Sequence, residues 1–122
     1  EIFDYRYGQA QIYANDAIAD NAGAAAYVYS HWVAAHEVNL ENLTAQVFAN
    51  EIEIETAPLT AIRGNPWLAL VLLSKVLVEN GVKLPAGSIV FSGSATKAIH
   101  LAAGNNYALE IKGLGRVEIK AI

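Results

Sequence analysis

Ser92-Gly93-Ser94 follows the apolar run Ile89-Val90-Phe91 and sets two hydroxyls and a glycine where a strand would end. Such a loop has little side-chain bulk and several donors, so a ligand could approach its backbone closely. A tight turn that needs only small residues is the other reading of the same spacing. A second cluster, Glu51, Glu53 and Glu55, alternates with Ile52 and Ile54 and would project three carboxylates from one face of a strand. That array could chelate a cation, but like charges on an edge strand also guard against sheet-to-sheet association, and this reading is preferred. His31 and His36 are five residues apart, the wrong interval for a shared helical face, and with His100 they form no zinc spacing. No nucleophile elbow of the Gly-x-Ser-x-Gly type occurs.

The elements that must position these groups are partly legible. Asn65 is a good N-cap and Pro66 suits the first helical position, Gly81 can close the helix in a left-handed conformation, and Pro85 prevents its resumption. Apolar residues cover most of that helix, so it is expected to be buried on at least two sides. Ser88–Phe91 reads as a short buried strand. Residues 1–7 alternate as a strand with one aromatic face, and 9–21 read as a helix. Ala24–Ser30 is ambiguous between alanine's helix preference and the strand preference of Tyr27-Val28-Tyr29. Residues 43–48 and 51–56 suggest a hairpin turning at Ala49-Asn50. Segments 97–102, 107–112 and 116–121 complete a strand-rich second half. Two helices among about eight strands predict an α+β chain built on a curled mixed β-sheet, or β-roll.

The chain has 122 residues, enough for one domain over 1–122 but small enough to need a partner over its apolar surface. Hydrophobic residues make up 54% and charged residues 16%, an oily balance that predicts self-association. No uninterrupted apolar run approaches the roughly 20 residues that span a bilayer, so no membrane role is expected. The formal charge of −4 with scattered basic residues gives no footprint for nucleic acid. Without cysteine there is no disulfide framework or thiolate site, which fits a cytoplasmic address. The chain also lacks methionine, so removal of an initiator or leader, or an excised or engineered piece, is expected.

Four stretches in one order carry a resemblance. These are Glu1-Ile-Phe-Asp-Tyr-Arg6; Ile18-Ala-Asp-Asn-Ala22 running into Ala25–Tyr29; the unit from Gly64-Asn-Pro-Trp67 to Ser92-Gly93-Ser94; and Gly113-Leu-Gly-Arg-Val117. Together they resemble the carboxyl-terminal part of the fumarylacetoacetate hydrolase superfamily, in its 2-keto-4-pentenoate hydratase, 2-oxo-hepta-3-ene-1,7-dioate hydratase and 4-oxalocrotonate decarboxylase branch. The resemblance implies a fumarylacetoacetate-hydrolase-like core and a magnesium or manganese ion that binds a small 2-oxo acid. Glu1 would match one carboxylate ligand of that ion, and the Glu-x-Glu pair supplying the others would lie in the half this chain does not match. It further implies that Ser92, Gly93 and Ser94 contact substrate, with Ser94 at the matching hydroxyl position. Asp20 and Asn21 match the family's Asp-Asn pair, where an architectural role is expected.

Two departures bear on activity. Gly23-Ala24-Ala25-Ala26 stands where relatives of this branch tend to carry hydroxyls, and Thr56-Ala57-Pro58-Leu59 replaces a Thr-Gly-rich turn. The expected function is a metal-dependent hydratase or decarboxylase of 2-oxo or 2-hydroxydienoate acids from aromatic catabolism, or a fragment of one. No particular catalytic residue is assigned. The partner is a second copy of the chain or a complementary amino-terminal segment. The alternative is a non-catalytic or engineered scaffold or binding domain that keeps the fold without the complete metal site.

Overall fold

The structure, a computed structural model, describes residues 1–4, 6–8 and 11–122. Tyr5 of the opening motif, and Gln9 and Ala10 at the expected start of the first helix, lie outside the described residues. The elements are β1 (Ile2–Phe3), α1 (Ala14–Ala19), β2 (Ala24–Ala26), β3 (Thr44–Ala49), β4 (Ile52–Pro58), α2 (Pro66–Glu79), β5 (Asn106–Ile111) and β6 (Gly115–Lys120), with short 3-10 turns between them.

The α+β class with two α-helices is as expected. The sheets, however, are antiparallel in every described pairing rather than mixed: β1 pairs β2, and a four-stranded sheet runs β4-β3-β5-β6. Tight turns join β3 to β4 and β5 to β6, and such turns can only reverse the chain. The first is a two-residue loop, Asn50-Glu51, with φ of 48° and 65°, the left-handed pair whose twist matches that of a hairpin. It sits one residue later than the pattern of the sequence suggests.

One face of this sheet supplies most of the core. Ala45 and Val47 of β3 are buried there with Tyr107 of β5, beside Leu109, Val117 and Ile119 on the same face by register. Leu59 and Ile62, in and after the 3-10 turn Leu59–Ala61, add to the buried set. The Tyr107 hydroxyl accepts from the Ala102 N–H at 2.9 Å, which ties the segment before β5 to the sheet.

Two expected strands do not form: residues 88–91 and 97–102 have no strand assignment and no ladder partner among the described residues. The segment 24–30, which the family resemblance tips from helix to strand, is a strand only over Ala24–Ala26, and residues 27–30 have no strand assignment. Their composition suits a strand, but a strand exists only where a neighbouring backbone satisfies its polar groups.

Helix α2 is capped as its sequence dictates. The Asn65 side chain accepts from the Trp67 N–H at 2.9 Å, and Pro66 occupies the first turn. At the other end the Val82 N–H reaches the Leu77 carbonyl at 2.8 Å and the Gly81 N–H reaches that of Val78 at 3.0 Å, with Gly81 at φ 68°, which is a Schellman closure. The expectation of burial on two sides fails: Pro66 is its sole buried residue, while Trp67, Leu68, Val71, Leu72, Val76 and Val78 are exposed. The apolar stretch Leu59–Glu79 covers 21 residues at a mean hydropathy of 1.3, so by length and composition it reaches the range of a membrane span. It is not one continuous helix, because Arg63 and Gly64 take φ of 52° and 81°. The 14 residues of α2 extend about 21 Å, short of a hydrocarbon core of about 30 Å.

Candidate functional site

The stretch from Asp20 to Gly23 is built to bring β1 and β2 together. Asn21, Ala22 and Gly23 take φ of 50°, 55° and 78° in succession, turning the chain back so that the Gly23 carbonyl accepts from the Asp4 N–H at 2.8 Å. Arg6 locks the turn: its Nε lies 2.6 Å from Asp20 Oδ1, and its Nη2 donates to the Asp20 carbonyl at 3.1 Å and the Ala24 carbonyl at 3.3 Å. The Asp20-Asn21 pair is therefore engaged in holding backbone. The alanines of β2 present methyl groups only.

Glu1 directly precedes β1, is exposed, and makes no hydrogen bond or ion pair among the described residues. No three His, Cys, Asp or Glu side chains gather as a metal site among the described residues. A hard divalent ion takes about six oxygens, so Glu1 alone does not make a site. The Glu51, Glu53 and Glu55 array is dispersed as well. A bulge between Val47/Phe48 and Glu55/Glu53 leaves Ile54 without a counterpart and breaks the alternation. Glu51 is held by Arg116 at 2.7 and 2.8 Å, and Glu53 accepts from Gln46 Nε2 at 2.6 Å.

Arg116 is a residue that sequence reasoning missed. It also meets Glu118 at 2.7 Å and Glu110 at 3.5 Å and lies 5.0 Å over the Phe48 ring. The carboxylates of Glu118 and then Glu51 hold its guanidinium above the ordinary arginine range, so it stays charged at every working pH.

Ser92, Gly93 and Ser94 form an irregular loop beyond the non-strand run 88–91. Gly93 has φ 104°, which other residues rarely adopt, and a Cβ there would lie 3.9 Å from Cγ2 of core residue Ile62. The Ser94 hydroxyl donates to the Thr96 carbonyl at 2.9 Å. Among the described residues the N–H groups of Gly93, Ser94 and Ala95 have no hydrogen-bond acceptor. The loop thus offers several N–H groups not committed to acceptors among the described residues, close to the core at Ile62.

A separate apolar groove is lined by Tyr29, Ser30, His31, Trp32, Trp67 and Leu114. The turn after β5 approaches it closely, since a Cβ on Gly115 would sit 2.9 Å from Ser30 Oγ and 3.1 Å from His31 Cε1. The second glycine of Gly113-Leu-Gly115 is required by that approach. His36 and His100 are exposed and do not line this groove, although Ala35, next to His36, does.

No family model matches the chain. It is similar to curated enzymes along nearly its whole length. A 4-oxalocrotonate decarboxylase of Pseudomonas putida is 28% identical over 100% of this chain and 47% of its own length. One from Pseudomonas sp. is 33% identical over 94% and 44%, and a 2-keto-4-pentenoate hydratase of Paraburkholderia phymatum is 30% identical over 96% and 45%. The chain spans slightly under half the length of these relatives. In fold it matches the 4-oxalocrotonate decarboxylase from Pseudomonas putida G7 complexed with magnesium and adipate, with a TM-score of 0.91 and 28% identity over 98% of this chain and 46% of that one. By sequence and by fold, the chain is related to the hydratase and decarboxylase branch of the fumarylacetoacetate hydrolase superfamily.

Proposed function

We propose that residues 1–122 act as one domain of a cytoplasmic hydratase or decarboxylase of 2-oxo or 2-hydroxydienoate acids, and that this domain supplies the substrate-holding loop. The observation that supports this reading is the set of free donors at Gly93, Ser94 and Ala95, carried on backbone that only glycine makes easily. Hydration and decarboxylation of such acids both build negative charge on oxygen. N–H groups fixed beforehand toward that charge stabilise it without the cost of reorganising solvent. In this reading Gly93 admits the substrate carboxylate to the backbone, Ser92 donates its hydroxyl to it, and Ser94 does the same by turning its hydroxyl away from the Thr96 carbonyl.

Magnesium or manganese is the cofactor assigned to the complete enzyme, and Glu1 is the ligand assigned within this chain. The described residues do not fit a whole site, so the chain's own part in the chemistry is binding and orientation. A non-catalytic domain is the competing reading. It is favoured by the methyl-only surface of Ala24–Ala26.

The test replaces the aligned part of the Pseudomonas putida decarboxylase by this chain and follows the ultraviolet absorbance of a 2-hydroxydienoate or 4-oxalocrotonate with magnesium present. Turnover that falls at least tenfold with Ser94→Ala is expected. A chimera that unfolds cooperatively and shows no turnover of either substrate would leave only the non-catalytic reading.

A further inference from the structure

Helix α2 is apolar on two sides. Pro66, Ala69, Leu70, Leu73 and Leu77 are buried or half-buried, whereas Leu68, Val71, Leu72 and Val76 are 47%, 49%, 44% and 54% exposed. The outward set is spaced i, i+3, i+4 and i+8, a stripe with the geometry of a packing face. A second exposed apolar surface is the row formed by Trp32, Tyr29, Tyr27 and Phe91. Successive ring centroids along it lie 5.4, 6.2 and 5.6 Å apart. Trp67, at the start of α2, joins the two surfaces, because it lines one groove with Tyr29 and Trp32.

The exposed area indicates what covers them. The chain exposes 8883 Å², whereas a compact monomer of 13.1 kDa exposes about 6,400 Å². The surplus of roughly 2,500 Å² is about three times the ~800 Å² that each partner contributes to an ordinary dimer. A second copy seated through an interface of that ordinary size would leave most of it uncovered, and only an obligate dimer at the upper end, about 2,500 Å² per partner, would match it. The match to the Pseudomonas putida G7 decarboxylase takes 98% of this chain but 46% of that one, so more than half of a protein with the same fold lies outside the match.

We propose that the outward stripe of α2 and the Tyr27–Phe91 row form one interface, filled by a complementary polypeptide segment of the kind that makes up the unmatched part of these relatives. The inference rests on the family relationship and names the partner within that reading. The segment presents apolar side chains to Leu68, Val71, Leu72 and Val76. Beside residues 27–29 and 88–91 it presents backbone, giving those segments the ladder partner they lack.

The 122-residue chain is produced alone and co-expressed with the unmatched segment of the Pseudomonas putida decarboxylase, and mass, hydrophobic-dye fluorescence and amide exchange are read. Alone, the chain is expected to bind the dye and to exchange its α2 amides rapidly. Co-expressed, it is expected in a 1:1 complex that loses the dye signal and slows those amides at least tenfold. Val71→Glu with Val76→Glu should abolish the complex while leaving the circular dichroism of the lone chain unchanged. A dye-silent monomer with protected α2 amides would overturn the proposal, as would a homodimer that protects the stripe or a failure to form the complex. None of these readouts involves turnover, so a folded complex without activity would defeat the proposed function and leave this interface standing.

Discussion

Arg116 holds Glu51 through contacts of 2.7 and 2.8 Å, joining the end of the four-stranded sheet to the turn between β3 and β4. The same guanidinium also serves Glu118 and Glu110, so one cation is shared among three carboxylates and the cluster keeps a net negative charge.

Exposed ion pairs are screened by salt, and a network with one central cation loses all its attractions together when that cation is removed. Arg116→Met is therefore expected to lower the thermal midpoint at low salt. The wild-type midpoint should fall as sodium chloride is added up to about 0.15 M, where the screening length is near 8 Å. The variant should lack that fall, and thermal scans at several salt concentrations measure the difference.

Ala22 has φ 55° with no glycine to relieve it, between Asn21 and Gly23 in the same left-handed region. Alanine there costs about 1–2 kcal/mol, part of which glycine returns as unfolded-state entropy. Ala22→Gly is expected to stabilise the chain by about 0.5–1 kcal/mol. A urea midpoint that moves down would show that the methyl group contributes packing that outweighs its strain.

The phenol of Tyr107 is held below the ordinary tyrosine range, chiefly by the N–H of Ala102 and then by Asn105. In an absorbance titration one tyrosine should ionise before the others, and Tyr107→Phe should remove that component alone. A lowered folded value means that the unfolded chain binds more protons across the interval between the two values. The contribution of this ionisation to stability is then complete above the ordinary tyrosine range and is lost as pH falls through the folded value. Simultaneous ionisation of all the tyrosines would contradict the assignment.

What the sequence revealed was local. Asn65, Pro66 and Gly81 mark both ends of α2 because capping depends on a few neighbouring residues, and the β3–β4 hairpin was legible from its alternation to within one residue. The strands read at 88–91 and 97–102 have suitable residues but no described partner, and the one read at 24–30 pairs only over Ala24–Ala26, because pairing is a property of distant backbone. Arg116 was equally hidden, since its acids come from positions 51, 110 and 118 and meet only when the sheet forms. In the candidate site, the small residues of Ser92-Gly93-Ser94 were visible, whereas their seat against Ile62 and the unpaired state of the following N–H groups required the fold.

The central claim is that the loop after residue 91 holds the acid. It is tested most directly by a proton–nitrogen correlation titration of the chain with adipate, a diacid found in a complex of the structural relative. The amides of Gly93, Ser94 and Ala95 are expected to shift in a saturable way, and Gly93→Val, which cannot keep φ 104° cheaply, should remove the response. Shifts confined to Tyr29, His31 and Trp32, with the 93–95 amides unmoved, would place the acid in the aromatic groove and contradict the account.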